Sequence, residues 1–270
     1  MNKSNSFKLG QKTQYDNEYN SDLIDVFPRS ERRKGMSSLM FGIDIWTAYE
    51  FSFLLKSGLP YFCVLRIYNF AYSEYIFESK SLKLYLNSFN NTCFSGIAEV
   101  KRIIERDLSR KVGTEVFVEK LNSFPRSRVE DKICLERECK SIKINEYEYN
   151  PKLLKSYESG YTKQLLYSNL LRSNCEVTNQ PDWGRVTIEY IGSRRVDYES
   201  LLKYLVSFRK HQGFHEVVCE RIYNDLYNEL KPTYLSVLCQ YTRRGGIDIN
   251  PFRLSYPDFN MPSLSKLLQQ

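Results

Sequence analysis

Ser173-Asn174-Cys175-Glu176-Val177-Thr178-Asn179-Gln180-Pro181-Asp182-Trp183-Gly184 decides how the rest of the chain is organised. Ahead of it, Leu165, Tyr167, Leu171, Cys175 and Val177 share one period-2 phase, and Val186, Ile188 and Tyr190 resume the alternation beyond it. Side chains two apart lie on one face of a strand, and Pro/Gly clusters reverse the chain. The stretch therefore predicts a β-hairpin whose turn is Pro181-Asp182-Trp183-Gly184. Such a hairpin brings Asp182 back toward Cys175, and a thiol beside a carboxylate is a minimal set for nucleophilic attack plus proton transfer. Two readings stay open on these residues alone. A strand cysteine is also a small buried hydrophobe, and Pro-Asp-Trp-Gly is also an ordinary turn.

Composition narrows the class. The 270 residues, 42% hydrophobic and 26% charged, are globular in character and long enough for two compact domains or one large one. Tyrosine is abundant at 21 residues and suits sheet surfaces and interfaces, with an apolar ring and a polar tip. No apolar stretch approaches the roughly 20 residues that span a bilayer, and Met1–Ser6 lacks the apolar core of a signal peptide. Seven scattered cysteines, an odd number, argue against a disulfide framework. Cys134 and Cys139 are five apart and there are only two histidines, so no zinc site is expected. The expectation is a reduced, cytoplasmic protein with no membrane contact. The net charge of +7 is spread over clusters at Arg29/Arg32/Arg33/Lys34, Arg194/Arg195 and Arg243/Arg244. These are solvated surface or anion-binding forks. No motif of a nucleic-acid-binding module is present, so no direct nucleic-acid binding is expected.

In chain order, residues 1–40 are polar and read as an N-terminal arm. Ile45, Thr47, Tyr49, Phe51, Phe53 and Leu55 alternate as a long strand, Lys56–Pro60 turns, and Cys63, Leu65 and Ile67 return. After Glu78-Ser79-Lys80 the period becomes helical, with Leu82, Tyr85, Leu86 and Phe89 on one stripe and Ile97, Val100, Ile104 and Leu108 on a second. Val116 and Val118 mark a strand. Residues 122–160 are charged and irregular, with one possible strand at Ile142 and Ile144, and connect two halves. Beyond the Cys175 hairpin, Asp197 is an N-cap for a helix carrying Leu201, Leu202, Leu205 and Phe208. Phe214, Val218, Ile222, Leu226 and Leu230 follow at i+4 spacing, and Leu235, Val237, Cys239 and Tyr241 form a strand ending in Arg243-Arg244-Gly245-Gly246. Each half thus runs β-β-α-α-β. The order predicts an α+β fold of mostly antiparallel sheet with helices on one face. The organisation expected is a 1–40 arm, a 41–121 module, a 122–160 connection and a 161–270 module with the nucleophile.

Several of these stretches resemble the long, two-module form of the NADPH-dependent nitrile reductase family that acts on 7-cyano-7-deazaguanine in queuosine biosynthesis. They are Pro28-Arg29-Ser30, Asp44-Ile45-Trp46-Thr47, Glu78 through Phe89, Ser173-Asn174-Cys175 with Gln180 through Gly184, Phe214-His215-Glu216, and Tyr241 through Gly246 with Asp248-Ile249-Asn250-Pro251. The resemblance runs from about Leu9 to the end. It implies tandem tunnelling-fold (T-fold) modules, a homodimer, NADPH as cofactor and a small deazapurine substrate; no metal is expected. It also implies a covalent thioimide on Cys175, with Asp182 as general acid/base. Phe77, Glu78, Ser79, His215 and Glu216 correspond to substrate contacts, and Ser79, Lys80, Arg244 and Gly245 to cofactor contacts. A carboxylate such as Glu78 or Glu216 accepts two N–H bonds from a guanine-type edge. Glu78 reads equally as a helix-start carboxylate, and His215 as a capping histidine. No G-x-G-x-x-G loop is present to hold a dinucleotide in the Rossmann manner. One departure is Asn179, where long members commonly carry His; Asn hydrogen-bonds but does not shuttle protons. From the residues alone a thiol-dependent nitrile or amide hydrolase and a non-catalytic tRNA-binding accessory remain alternatives.

Overall fold

The computed structural model describes residues 18–36, 38, 40–125, 132–176, 178–257, 262, 264, 265, 267 and 270. Its strands are β1 (Val26–Pro28), β2 (Phe41–Leu55), β3 (Pro60–Phe70), β4 (Tyr75–Phe77), β5 (Cys93–Phe94), β6 (Val116–Leu121), β7 (Ile133–Cys134), β8 (Ser156–Asn174), β9 (Pro181–Val196), β10 (Tyr234–Tyr241) and β11 (Ile247–Leu254). Its helices are α1 (Arg29–Arg32), α2 (Ser79–Ser88), α3 (Ile97–Val112), α4 (Leu135–Glu138), α5 (Tyr198–Ser207) and α6 (His215–Leu230). Among the described residues nine strands make one sheet, in the order β6-β3-β2-β11-β10-β9-β8-β7 with β5 beside β2. The pairings are antiparallel except for β2–β5 and β7–β8. The two halves meet where β11 pairs with β2, from Ile247↔Ala48 to Leu254↔Phe41.

Both helix pairs lie on one face of this sheet. Trp46, Ala48, Ile247 and Ile249 pack with Leu82, Tyr85, Val100, Ile104 and Leu108 of α2 and α3. Val237 packs with Leu201, Leu205, Val218, Ile222 and Leu226 of α5 and α6. The register pairs Ile249↔Trp46 and Val237↔Arg253 put these two cores on the same side. Burying an aliphatic side chain of this size contributes roughly 1.5–3 kcal/mol, which is why the i+4 stripe of α6 sets its orientation. Asp197 caps α5 by accepting from the Ser200 N–H, as its side chain suggested. Lys231 adopts φ +45° and ends α6 before Pro232.

Several expectations need correction. Residues 18–36 are not a detached arm. β1 pairs with β4, Ile24 is buried, and Arg29 is 2% exposed because it enters a buried ion cluster. Pro181-Asp182-Trp183-Gly184 is not a turn but the start of β9, paired with Leu171–Asn174. The reversal lies upstream in Cys175–Gln180, closed by Cys175 N–H to Gln180 O and Asn179 N–H to Cys175 O, with Asn179 at φ +55°. The even alternation before Cys175 breaks at a bulge between Ser168 and Leu171, so Leu166 and Leu171 are inward, not Leu165 and Tyr167. Val177 lies outside the described residues. A bulge between Ala48 and Phe51 does the same in β2, where Trp46 rather than Ile45 faces the helices. Ile142 and Ile144 form no strand; they pack partly buried against the second core. β11 was not expected, since the sequence reading assigned no element beyond Gly246; Pro251 is unusual in a central strand.

The ion cluster ties four elements together. Arg253 on β11 reaches Asp44 of β2 at 2.6 Å and Glu220 of α6 at 2.7 Å. Arg29 reaches Asp44 at 2.5 Å and Glu220 at 3.4 Å, and Arg33 reaches Glu220 at 2.6 Å. Burial pushes the Glu220 carboxyl up, but Arg253, Arg33 and Arg29 outweigh it and hold it at about 2.

Gly42 allows the close pairing of β2 with β11. At φ +140°, a Cβ here would stand 2.0 Å from the Phe252 carbonyl oxygen, a backbone atom. Gly42→Ala is expected to destabilise the protein by at least about 2 kcal/mol, read as a lowered urea midpoint. An unchanged midpoint would contradict this β2–β11 register.

Candidate active site

The turn at Cys175–Gln180 and the start of β9 deliver the two candidate reacting groups. Asp182 stands opposite Ser173 in the ladder, two positions before Cys175, and is 4% exposed. Its Oδ1 receives both Arg244 Nε at 2.8 Å and His215 Nε2 at 3.1 Å. Arg244 also donates to the Pro181 carbonyl at 2.8 Å. His215 opens α6 and stacks on Tyr241, with centroids 3.9 Å apart and planes 15° apart. Gly184 permits this stack: a Cβ there would come within 3.1 Å of both the Tyr241 ring and the Gln240 carbonyl. A glycine in β9 thus seats the tyrosine that carries the histidine that holds the aspartate.

The opposite wall comes from the first half of the same chain. Glu78 is the N-cap of α2, with Oε1 accepting from Lys80 N–H at 3.0 Å and Oε2 from Ser81 N–H at 2.6 Å. Each carboxylate oxygen still has a second lone pair, so the helix-start role and a pocket role coexist. Together Trp46, Phe77, Glu78, Ser79, Cys175, Asp182, Gly213, Phe214, His215, Glu216, Arg244 and Ile249 line a cavity of about 40 Å³ that opens to solvent. Three buried polar atoms on this lining have no partner in the protein: Trp46 Nε1, His215 Nδ1 and Glu216 Oε1. Leaving such groups unsatisfied costs roughly 1–3 kcal/mol each, so their convergence marks a site for a polar ligand. Burial and the neighbouring Asp44 push the Glu216 carboxyl up to about 8, with Arg29 and Arg253 only partly opposing.

An outer cleft of about 240 Å³ shares Glu78, Ser79, Cys175, His215, Arg244 and Ile249 with this cavity. It adds Lys80, Lys83, Thr178, Thr242, Gly245 and Ile247. Lys83 hydrogen-bonds the Gly245 carbonyl and lies 3.7 Å from Glu50. Gly245 has φ +56°, and a Cβ on it would meet the Lys83 ammonium at 2.9 Å. This donor set fits a dinucleotide phosphate: two lysines and a guanidinium around a glycine that lets backbone approach. Among the described residues no group of His, Cys, Asp and Glu could hold a metal ion.

The structure thus brings Phe77, Glu78, Ser79, Cys175, Asp182, His215, Glu216 and Arg244 to one cavity, with Lys80 and Gly245 on its outer extension. Arg244, expected at the cofactor, has its Nε turned to Asp182. Asn179 takes no place on either lining; its Oδ1 accepts from Gln212 Nε2 at 2.9 Å. Sequence reasoning gave no site role to Trp46, Gly213, Phe214, Ile249 and Lys83, although all but Gly213 stand in the stretches that carry the resemblance. For Trp46 the bulge in β2 hid the signal, whereas Lys83 lies one turn beyond Lys80 on α2 and could have been found from that spacing.

Residues 15–120 match the family described as "Nitrile reductase, 7-cyano-7-deazaguanine-reductase N-term", and residues 181–257 match "QueF-like protein". Cys175 lies between the two matched stretches. Among solved structures the chain is similar to the archaeosine synthase QueF-Like in its apo form. The identity is 17% over 38% of this chain and 100% of that one, with a TM-score of 0.33. With both halves matched in order, and both contributing walls to one cavity, the chain belongs to the 7-cyano-7-deazaguanine nitrile reductase family, in its two-module form.

Proposed function

We propose that the chain reduces the nitrile of 7-cyano-7-deazaguanine to the aminomethyl group with NADPH, through a thioimide on Cys175. The observation that carries this reading is the single cavity in which Cys175 and Asp182 face Glu78 and Glu216, next to three unpartnered buried polar atoms. Glu216 and Glu78 accept the N–H donors of the base edge, and Phe77 and Phe214 give its ring an apolar seat. The Cys175 sulfur adds to the nitrile carbon, and the thiol proton passes by way of Asp182 to the nitrile nitrogen, giving C(=NH)–S. Arg244 and His215, both on Oδ1 of Asp182, fix that carboxylate for the transfer. Lys80, Lys83, Arg244 and Gly245 would hold the phosphates of NADPH, which when bound supplies the hydrides, two per nitrile. Two protons complete the amine. Cys175 leaves as a thiol once its carbon is saturated, which gives the imine.

We also read the two halves as tandem T-fold modules and the chain as a cytoplasmic homodimer. Supporting this are the repeated β-β-α-α-β order, the seven free thiols, and Phe62 and Phe117 exposed on the sheet face that carries no helix. A monomer in sedimentation equilibrium would contradict the pairing.

The nucleophile is tested by intact mass after mixing with the nitrile but without NADPH. The wild-type chain is expected to gain the mass of the base, and Cys175→Ala to gain nothing. Asp182→Asn is expected to bind the base yet lose at least about 100-fold in turnover, the usual worth of a positioned acid/base. An adduct in the Cys175→Ala chain, or full turnover in Asp182→Asn, would overturn the assigned roles.

A further inference from the structure

Glu216 lines the cavity with a buried, unpartnered Oε1, although two buried guanidiniums, Arg29 and Arg253, stand close enough to act on its charge. Both are spent elsewhere. Arg253 is held by Asp44 at 2.6 Å and Glu220 at 2.7 Å, and Arg29 by Asp44 at 2.5 Å and Glu220 at 3.4 Å. Glu220 stands one turn along α6 from Glu216, so two carboxyls on the same helical face have opposite surroundings. One is saturated by three arginines, the third being Arg33 at 2.6 Å. The other has no cation of its own. The remaining basic neighbours supply none, since His215 and Arg244 bond Asp182, and Glu78 is a second carboxylate, committed to the start of α2.

We propose that Asp44 and Glu220 are positioning residues that keep Arg29 and Arg253 away from Glu216, reserving its carboxylate for the N–H donors of the bound base. This rests on the reading of Glu216 as a base contact given above. Its consequence is a proton. Burial and Asp44 push the Glu216 carboxyl up to about 8, so in the free protein at pH 7 it is mostly protonated. Accepting two N–H bonds requires the carboxylate. Binding therefore releases a proton, and affinity rises with pH until Glu216 is already ionised, above about 8.

The test is calorimetric titration of the full chain carrying Cys175→Ala, which prevents covalent addition, with 7-cyano-7-deazaguanine in two buffers of different ionisation enthalpy. Most of a proton should be released per base bound at pH 7, with clearly tighter binding at pH 8.5 than at pH 6.5. Adding Glu220→Gln frees arginine charge for Glu216, and the proton count should fall below half. A cluster serving stability alone would lower Tm in that variant and leave the count unchanged, which would overturn the proposal. Glu216→Gln, which leaves the arginine cluster intact, should bind without proton release, and persistent release there would equally overturn it. Binding of the base with no proton released from the unsubstituted cluster defeats the proposal alone. No binding at all defeats the reading of the site as well.

Discussion

A guanidinium with no access to solvent has to be met by carboxylates, and in this protein that constraint falls on Arg253. It sits on the strand that joins the halves, and its partners Asp44 and Glu220 come from β2 and from α6. Removing one partner from a buried pair typically costs about 3–5 kcal/mol, so the seating of α6 and the pairing of β11 with β2 depend on each other. A slip of one residue in that pairing would carry Arg253 to the face without helices, leaving Asp44 to Arg29 alone and Glu220 to Arg29 and Arg33. The same cluster draws Arg29 inward and with it the N-terminal segment, whose Phe27 packs on Phe214 at the cavity wall.

The site follows from that join. Trp46, Phe77, Glu78 and Ser79 belong to the first half, and Cys175, Asp182, His215 and Glu216 to the second, yet they line one cavity within one chain. Neither half has the full set. Glycine at 184 and the stacked pair Tyr241–His215 fix Asp182 from beneath, while the short turn after Asn174 presents the sulfur from above. Holding a thiol and three carboxyl groups in fixed register on one lining removes the orientational cost that separate groups would carry.

Much of this was legible in the residues, and the exceptions have physical causes. The helices were clear because i+4 stripes such as Val218, Ile222 and Leu226 admit no other burial, and Asp197 could be recognised as a cap from its position alone. Strand phase was misjudged in β2 and β8, since a bulge adds one residue and moves every later side chain to the other face. The central strand β11 went unassigned; its ladder accommodates Pro251 opposite Asp44, with the Pro251 carbonyl accepting from Cys219 Sγ at 3.4 Å. Arg29 and its polar neighbours read as a solvated arm because local composition carries no trace of distant carboxylates. The Asp182 motif was found but assigned to a turn, although a proline is well suited to open a strand. Trp46 went unassigned for the same reason as the β2 phase.

The central claim is that one chain, by joining its halves through β11 and β2, brings Cys175 and the base-reading carboxylates to one ligand. A crystal structure of the protein soaked with 7-cyano-7-deazaguanine tests it most directly. The account requires a bond from Cys175 Sγ to the former nitrile carbon, with the base held by Glu78 and Glu216 of that same chain. A base resting away from Cys175, or one held by Glu216 with Glu78 supplied from another molecule, would contradict it.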